Sequence, residues 1–250
     1  MNLEGKRVLV TGGSRGIGAA MVAALVRDGA RVALHYGKSR AAAEGVAEAL
    51  DGAPVLLEAN LAEVGAGLAL VERAEEALGG LDGVVNNAGI FAPAPPTAPW
   101  VDWTRVWQET LQVNLVAAAD ITRAALPTFQ RQHRGTFVYI ASRAAFRGDD
   151  PEYLAYAASK GGMVALAKSV ARGYGRDGVV AMAVAPGFVA TEMAQQVAEQ
   201  KGTAAIVEDI PLGEMAHPVD VAAAVAFLLS DPARHLNGAT LDINGGSYVR

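Results

Sequence analysis

The sequence contains no cysteine. Disulfides, thiolate catalysis and cysteine-ligated metals are therefore excluded, and a reducing cytoplasm suits such a chain. A basic excess is also missing: 21 basic residues against 26 acidic ones leave a net charge of -5. Duplex-binding proteins normally show the opposite balance, so nucleic acid is not an expected partner. Long apolar runs are absent as well. Val8 to Val10, behind Glu4 and Lys6, is too short for a signal-peptide core, and no uncharged stretch reaches the roughly 20 residues that span a bilayer. Together these absences predict a soluble, cytoplasmic protein with no membrane partner.

Aromatic residues supply only 6% of the chain and charged residues 19%, but hydrophobic residues supply 52%. That much apolar surface offsets the entropy of ordering and excludes a disordered chain. The length of 250 residues fits one α/β domain. Glycine, at 28 residues, exceeds the usual share without any collagen-like period, so particular backbone positions need it.

Short apolar runs alternate with stretches of helical spacing. The expected strands are Arg7 to Thr11, Arg31 to His35, Val55 to Glu58, Gly83 to Asn86, Thr136 to Ala141, Val179 to Val184 and Thr240 to Ile243. Between them, Ala42 to Leu50, Leu68 to Leu78 and Val219 to Leu229 read as helices. Such alternation predicts one doubly wound, seven-stranded parallel sheet with helices on both faces. Three irregular pieces follow strands: the Pro-rich loop Phe91 to Pro99, the charged loop Arg143 to Glu152, and the segment Gly187 to Pro218. Open α/β sheets bind ligands at that carboxyl edge.

The first strand runs directly into Gly12-Gly13-Ser14-Arg15-Gly16-Ile17-Gly18. Glycines there permit a tight turn, and the helix N-terminus behind it faces a pyrophosphate with free amides and the positive end of its dipole. The spacing is TGxxxGxG rather than GxGxxG. Further on stand Asn86-Asn87-Ala88-Gly89 closing the fourth strand, Asn114 within Val113-Asn114-Leu115, Ser142 after the fifth strand, Tyr156 and Lys160 as YxxxK, and Pro186-Gly187 with Thr191 after the sixth. In this order the motifs resemble the short-chain dehydrogenase/reductase family over nearly the whole chain. The resemblance implies a Rossmann fold and hydride transfer between a nicotinamide cofactor and a carbonyl or secondary alcohol. From the opening LEGK to the closing INGG, the pattern is similar to the bacterial 3-oxoacyl-carrier-protein reductases within that family. Sugar, polyol and small-ketone dehydrogenases share the same pattern.

In NAD-binding turns a carboxylate about 20 residues beyond the glycines bonds the ribose hydroxyls. Here the second strand runs out as His35-Tyr36-Gly37-Lys38-Ser39-Arg40, without an acid. Lys38, Ser39 and Arg40 suit a 2′-phosphate instead, and Arg15 resembles the basic residue of NADP-preferring members. NADP(H) is thus expected over NAD(H). The resemblance also implies cofactor contacts at Gly12, Ser14, Gly16, Ile17, Gly18, Tyr36, Asn60, Leu61, Asn87, Ala88, Gly89, Pro186, Gly187, Val189 and Thr191, together with Tyr156 and Lys160. Asn60 stands where relatives often have Asp, and its amide can still meet adenine.

A phenol with an ordinary pKa near 10 is a poor base at neutral pH, and bringing it to about 7 needs roughly 4 kcal/mol of differential stabilisation. On one helix Tyr156 and Lys160 share a face about 6 Å apart along the axis, so an ammonium there could supply part of that. The resemblance implies that Tyr156 moves the proton, Lys160 lowers its pKa and holds the nicotinamide ribose, Ser142 bonds the substrate oxygen, and Asn114 supports a water relay. A non-catalytic dinucleotide sensor need not keep these groups together, and a methyltransferase would not explain YxxxK.

Other features admit plainer readings. Tyr153 lies one turn before Tyr156, too far from Lys160 to pair with it, and is expected at the substrate mouth or in packing. Gly161 and Gly162 imply close approach or a weak helix. Trp100, Trp103 and Trp107 share a helical face and suit the core or a subunit contact. His35, His133, His217 and His235 show no ligand spacing. Arg143, Arg147, Asp149, Asp150 and Glu152 could steer a charged substrate or form a solvated loop. Arg131, Arg134, Arg172 and Arg176 are candidates for docking a carrier protein. The segment 187–218, with Met193, Val197, Ile206 and Ile210, covers substrate in relatives, which commonly form homotetramers. The expected substrate is a small-molecule or acyl-thioester carbonyl compound.

Overall fold

The computed structural model describes residues 1–250, except for the side chains of Gln196, Val197, Gln200 and Lys201; the expectation for Val197 falls outside the described residues. The chain alternates β1 (Arg7–Val10), α1 (Gly16–Arg27), β2 (Arg31–Tyr36), α2 (Arg40–Glu48), β3 (Val55–Glu58), α3 (Ala66–Leu78) and β4 (Gly83–Asn86). It continues with α4 (Trp100–Leu111), α5 (Ala117–Arg131), β5 (Gly135–Ile140), α6 (Ala144–Arg147), α7 (Leu154–Tyr174), β6 (Val179–Pro186), α8 (Glu192–Lys201), α9 (Thr203–Glu208), α10 (Pro218–Leu228) and β7 (Thr240–Ile243). All seven strands pair in parallel in the order β3-β2-β1-β4-β5-β6-β7. The order reverses between β1 and β4, which opens a crevice above their carboxyl ends.

Why the strands read as apolar runs is visible in the packing. Along β5, Phe137 and Tyr139 join one core cluster while Val138 and Ile140 join the other. The first cluster is closed by α3, α5 and α7 through residues such as Leu70, Ile121, Phe129 and Met163. The second is closed by α1 and α10 through Met21, Leu25, Val221 and Val225. A sheet covered on both faces has no polar side to show, and each such side chain fully buried contributes about 1.5–3 kcal/mol.

Element ends differ from the periodicity by one or two residues, because caps decide them. Helix α2 starts at Arg40 rather than Ala42, since the Ser39 hydroxyl accepts the Ala42 N–H at 3.2 Å. Helix α10 starts at Pro218, where the Asp220 carboxylate accepts the His217 N–H at 2.7 Å. Two segments expected to be irregular hold helices: Arg143 to Glu152 contains α6, and 187–218 contains α8 and α9. Those helices are short and carry little apolar periodicity of their own. Between α4 and α5 the chain widens into a π turn, Gln112–Val116, which contains Asn114. No helix among the described residues is long and apolar enough to cross a membrane.

Candidate active site

The glycine turn is held from beneath by side chains spending hydrogen bonds on backbone. Thr11 Oγ1 accepts the N–H groups of Asn87 and Ala88, both at 2.9 Å. Asn87 Nδ2 donates back to the carbonyls of Thr11 at 2.8 Å and Gly12 at 3.1 Å. The Asn-Asn-Ala-Gly segment after β4 thus staples the turn across the reversal point. A side chain on Gly18 would collide with the Gly12 carbonyl, which accounts for the third glycine. Helix α1 begins with no side chain capping it, so no side chain occupies the amides at its start.

His35 is the residue whose importance the sequence did not reveal. The ring is 3% exposed. Nδ1 accepts the Gly12 N–H at 3.0 Å, and Nε2 lies 3.0 Å from the Ala59 carbonyl. These partners require the neutral ring with its proton on Nε2. Burial lowers its pKa from the ordinary value, the Ala59 carbonyl opposes this, and the nearby Arg73 cation adds to it. The only local hint was a histidine at the end of a strand that leads away from a phosphate turn.

Beyond β2, Lys38, Ser39 and Arg40 are exposed together. The carboxylates near them are engaged: Tyr36 donates to Glu58 at 3.2 Å, and Arg40 pairs with Glu44 at 2.8 Å. Arg15 does not face this loop alone; its guanidinium meets Glu192, at the start of α8, at 3.3 Å. It therefore bridges the crevice from the turn to α8. Asn60 uses its amide locally, donating to Glu63 at 3.0 Å and accepting the Ala62 N–H at 3.2 Å, while the Leu61 side chain lies in the core.

A cavity of about 430 Å³ opens at the carboxyl edge, and Ser142, Tyr156 and Lys160 line it together with Ile17, Asn87 and Gly89. Ser142 follows β5, and Tyr156 and Lys160 lie one turn apart on α7. The Ser142 hydroxyl accepts the Ala144 N–H at 3.1 Å and acts to lower the pKa of the neighbouring Tyr156 phenol. Tyr156 is half-buried, with its edge open to the cavity. Desolvation nonetheless pushes its pKa up to about 12, with Ser142 pulling the other way. Lys160 is buried, and burial lowers its pKa to about 8. Its ammonium donates to the Ile140 carbonyl at 2.7 Å and stands 5.6 Å from the Tyr156 ring centre. The pair shares a face as the spacing predicts. Desolvation by burial is the largest influence on this phenol.

Asn114 is fully buried in the π turn. Its Oδ1 accepts the Ile90 N–H at 2.8 Å, and Nδ2 donates to the Ile90 carbonyl at 3.0 Å and to Ser159 at 3.1 Å. Ser159 in turn donates to the Tyr156 carbonyl at 2.7 Å, so Asn114 ties the loop after β4 to the first turn of α7. A side chain on Gly162 would lie 2.6 Å from Leu115 of that π turn, so close approach explains this glycine. The same does not hold for Gly161, whose nearest contact would be an ordinary 3.8 Å.

The substrate side of the cavity is aromatic and charged. Tyr153 is buried in a turn ahead of α7 and stacks on Phe91 at 3.8 Å, and Phe91 meets Tyr156 edge-on at 4.8 Å. Pro186 ends β6 rather than following it, because it pairs with Ile243, and Gly187, Val189 and Thr191 continue along the same wall; Thr191 donates to the Val189 carbonyl at 3.2 Å and caps α8. From α9, Ile206 forms a small cluster with Ile210, Phe91 and Phe188, apart from the main core. The three tryptophans do not line this cavity. Arg131 and Arg134 precede β5, and Arg172 and Arg176 precede β6. Within one chain these four lie at the amino edge of the sheet, opposite the cavity.

Residues 12–248 match the family model described as enoyl-(acyl carrier protein) reductase. Over 247 residues the chain is 32% identical to the 3-oxoacyl-[acyl-carrier-protein] reductase FabG of Staphylococcus aureus, covering 98% of each. Its Escherichia coli counterpart is 31% identical over 249 residues, covering 100% of each. A short-chain dehydrogenase from Burkholderia cenocepacia, crystallised in complex with NADP, superposes with a TM-score of 0.90 at 36% identity, covering 99% of each chain. A dehydrogenase/reductase from Sinorhizobium meliloti gives 0.89 at 33% identity, covering 99% of this chain and 97% of that one.

Proposed function

The chain belongs to the short-chain dehydrogenase/reductase family and is an NAD(P)-dependent oxidoreductase; from that premise we propose that it moves a hydride between NADP(H) and a carbonyl or secondary alcohol, using Ser142, Tyr156, Lys160 and Asn114. The observation that carries this reading is the convergence of Ser142, Tyr156 and Lys160 on one cavity beside the uncapped start of α1, with Asn114 buried behind it. Free amides at that helix start fit a pyrophosphate. When bound, the nicotinamide supplies or accepts the hydride.

The chain's own part is to hold the carbonyl oxygen and deliver a proton to it. With its pKa pushed up to about 12, Tyr156 is protonated at neutral pH, the state needed to donate during reduction. Lys160, at about 8, is still mainly cationic at pH 7 and stabilises the phenolate left behind. Oxidation demands the reverse, an ionised Tyr156, which the Lys160 ammonium and the positive ring of the oxidised cofactor would favour. Ser142, which lines the same cavity as Tyr156, would bond the carbonyl oxygen beside it. Asn114 fixes the α7 turn that presents Tyr156. Segment 187–218 covers the substrate through Met193, Ala194 and Ile206.

The preference for NADP(H) rests on Lys38 and Arg40 at the exit of β2, where no carboxylate stands free to repel a 2′-phosphate. Assaying NADPH and NADH oxidation with 3-oxoacyl thioesters, sugars and cyclic ketones tests both parts. Thioesters head that panel because of the activity named for the bacterial relatives. Lys38→Ala should raise the KM for NADPH about tenfold and leave NADH unchanged; equal changes would reject the 2′-phosphate reading. Exposed Trp100 and Val101 on α4 leave an apolar face that a homo-oligomer would cover, which sedimentation would detect.

A further inference from the structure

Two guanidinium groups line the substrate side of the cavity, and one carboxylate joins them. Arg143 follows Ser142 directly, and Arg147 stands four residues on, at the end of α6. Asp209 Oδ2 accepts from Arg143 at 3.0 Å and from Arg147 at 2.7 Å. The Arg143 side chain is only 12% exposed, and its guanidinium lies 4.7 Å over the Phe188 ring. Its backbone is anchored too, with its N–H donating to the Pro186 carbonyl at 2.9 Å. A planar cation held by a ring face on one side and a carboxylate at its edge is a preformed anion receptor.

The carboxylate that fills it comes from the least embedded part of the molecule. Asp209 follows α9, its side chain is 49% exposed, and its neighbours Ile206 and Ile210 pack in the small satellite cluster, not in the main core. Exposed ion pairs contribute little net stability, so exchanging this carboxylate for another costs little. Asp149 and Asp150 line the same cavity and have interactions of their own. Asp149 also attracts Arg143 and would remain as its counter-charge.

We propose that Arg143 and Arg147 form a subsite for a carboxylate of the substrate, which Asp209 occupies in the ligand-free chain. The substrate class is then a carbonyl compound bearing a remote carboxylate, with its ketone at Ser142 and Tyr156 and its apolar span along Phe91, Phe188 and Ile206. This rests on the reductase reading above and narrows it.

The test compares oxo-carboxylates of increasing chain length with their methyl esters as substrates, using NADPH. The acid should exceed its ester in kcat/KM by about tenfold at the favoured length, as expected for one charge-assisted pair. Arg147→Gln should erase that ratio. Asp209→Asn, which removes the internal competitor, should lower the KM for the acid relative to that for the ester. Acid and ester changing in step in both variants would overturn the subsite and leave Asp209 as a mere strap. Calorimetric titration of the matching hydroxy-carboxylate and hydroxy-ester reads the subsite without turnover. Tighter binding of the acid, lost in Arg147→Gln, supports it even where no reduction occurs, and equal binding rejects it. Failure of every carbonyl to oxidise NADPH would instead count against the reductase reading.

Discussion

The two ends of the crevice are built differently. At the β1–β4 end, the turn proposed to face the dinucleotide is fastened by Thr11, Asn87 and His35, three side chains that each bond to backbone. At the β5–β6 end, the segment proposed to cover the substrate is held by two isoleucines, a few aromatic neighbours and one carboxylate between two arginines. A cofactor common to many reactions needs a fixed cradle, because every misplaced amide weakens binding. A substrate has to enter and leave, so its cover is attached by contacts that are individually weak.

The largest expected effect belongs to neither end but to the group between them. Tyr156→Phe should lower kcat about a thousandfold, as for loss of a general acid, while NADPH affinity measured by fluorescence stays near wild type. Retained turnover would remove Tyr156 from its role. Asn87→Ala probes the fixed end. It leaves the Thr11 and Gly12 carbonyls without their donor at a cost of about 1–3 kcal/mol, so the KM for NADPH should rise by about tenfold or more while the substrate KM is unaffected. An equal rise in both would deny that this end serves the dinucleotide alone.

His35 gives the fixed end a pH dependence with a definite sign. Its pKa in the fold lies below the ordinary 6.5, so the folded state prefers the neutral ring. The stability this preference contributes is complete above pH 6.5 or so and is lost progressively as pH falls. Protonated Nδ1 can no longer accept from Gly12, and the cation faces Arg73 nearby. NADPH affinity should therefore weaken on acidification, and His35→Gln should flatten the profile; an unchanged profile would sever His35 from the turn. The smallest effect is expected at the loose end. Ile206→Ala should raise the substrate KM about threefold, with a thermal midpoint close to wild type, because its cluster is separate from the main core. A large fall in that midpoint would mean that the cover is part of the cooperative fold.

What the sequence showed and what it hid follow the same division. The glycine turn, the Asn-Asn-Ala-Gly segment and the Tyr156–Lys160 spacing are legible because each is a short-range backbone demand, set by positive dihedrals, close approach or helical repeat. The sheet was legible because burial on both faces leaves apolar runs. His35 was not, since its partners Gly12 and Ala59 lie 23 and 24 residues away. Asp209 was hidden for the same reason, 66 residues from Arg143. Arg15 was assigned from its place in the turn, but its bond to Glu192 comes from another element, 177 residues on. Helix α9 is too short to show a period, and α8 was hidden because its residues are mostly polar.

The wide turn at Gln112–Val116 holds one residue more than an ordinary helix would use for nearly the same sweep. Deleting one residue there would let α4 run into α5 with almost unchanged phase, so the packing of both helices would survive. What would go is the bulged position from which Asn114 reaches Ile90 and Ser159. The irregularity is thus confined to the joint, and the joint is what a regular backbone would erase.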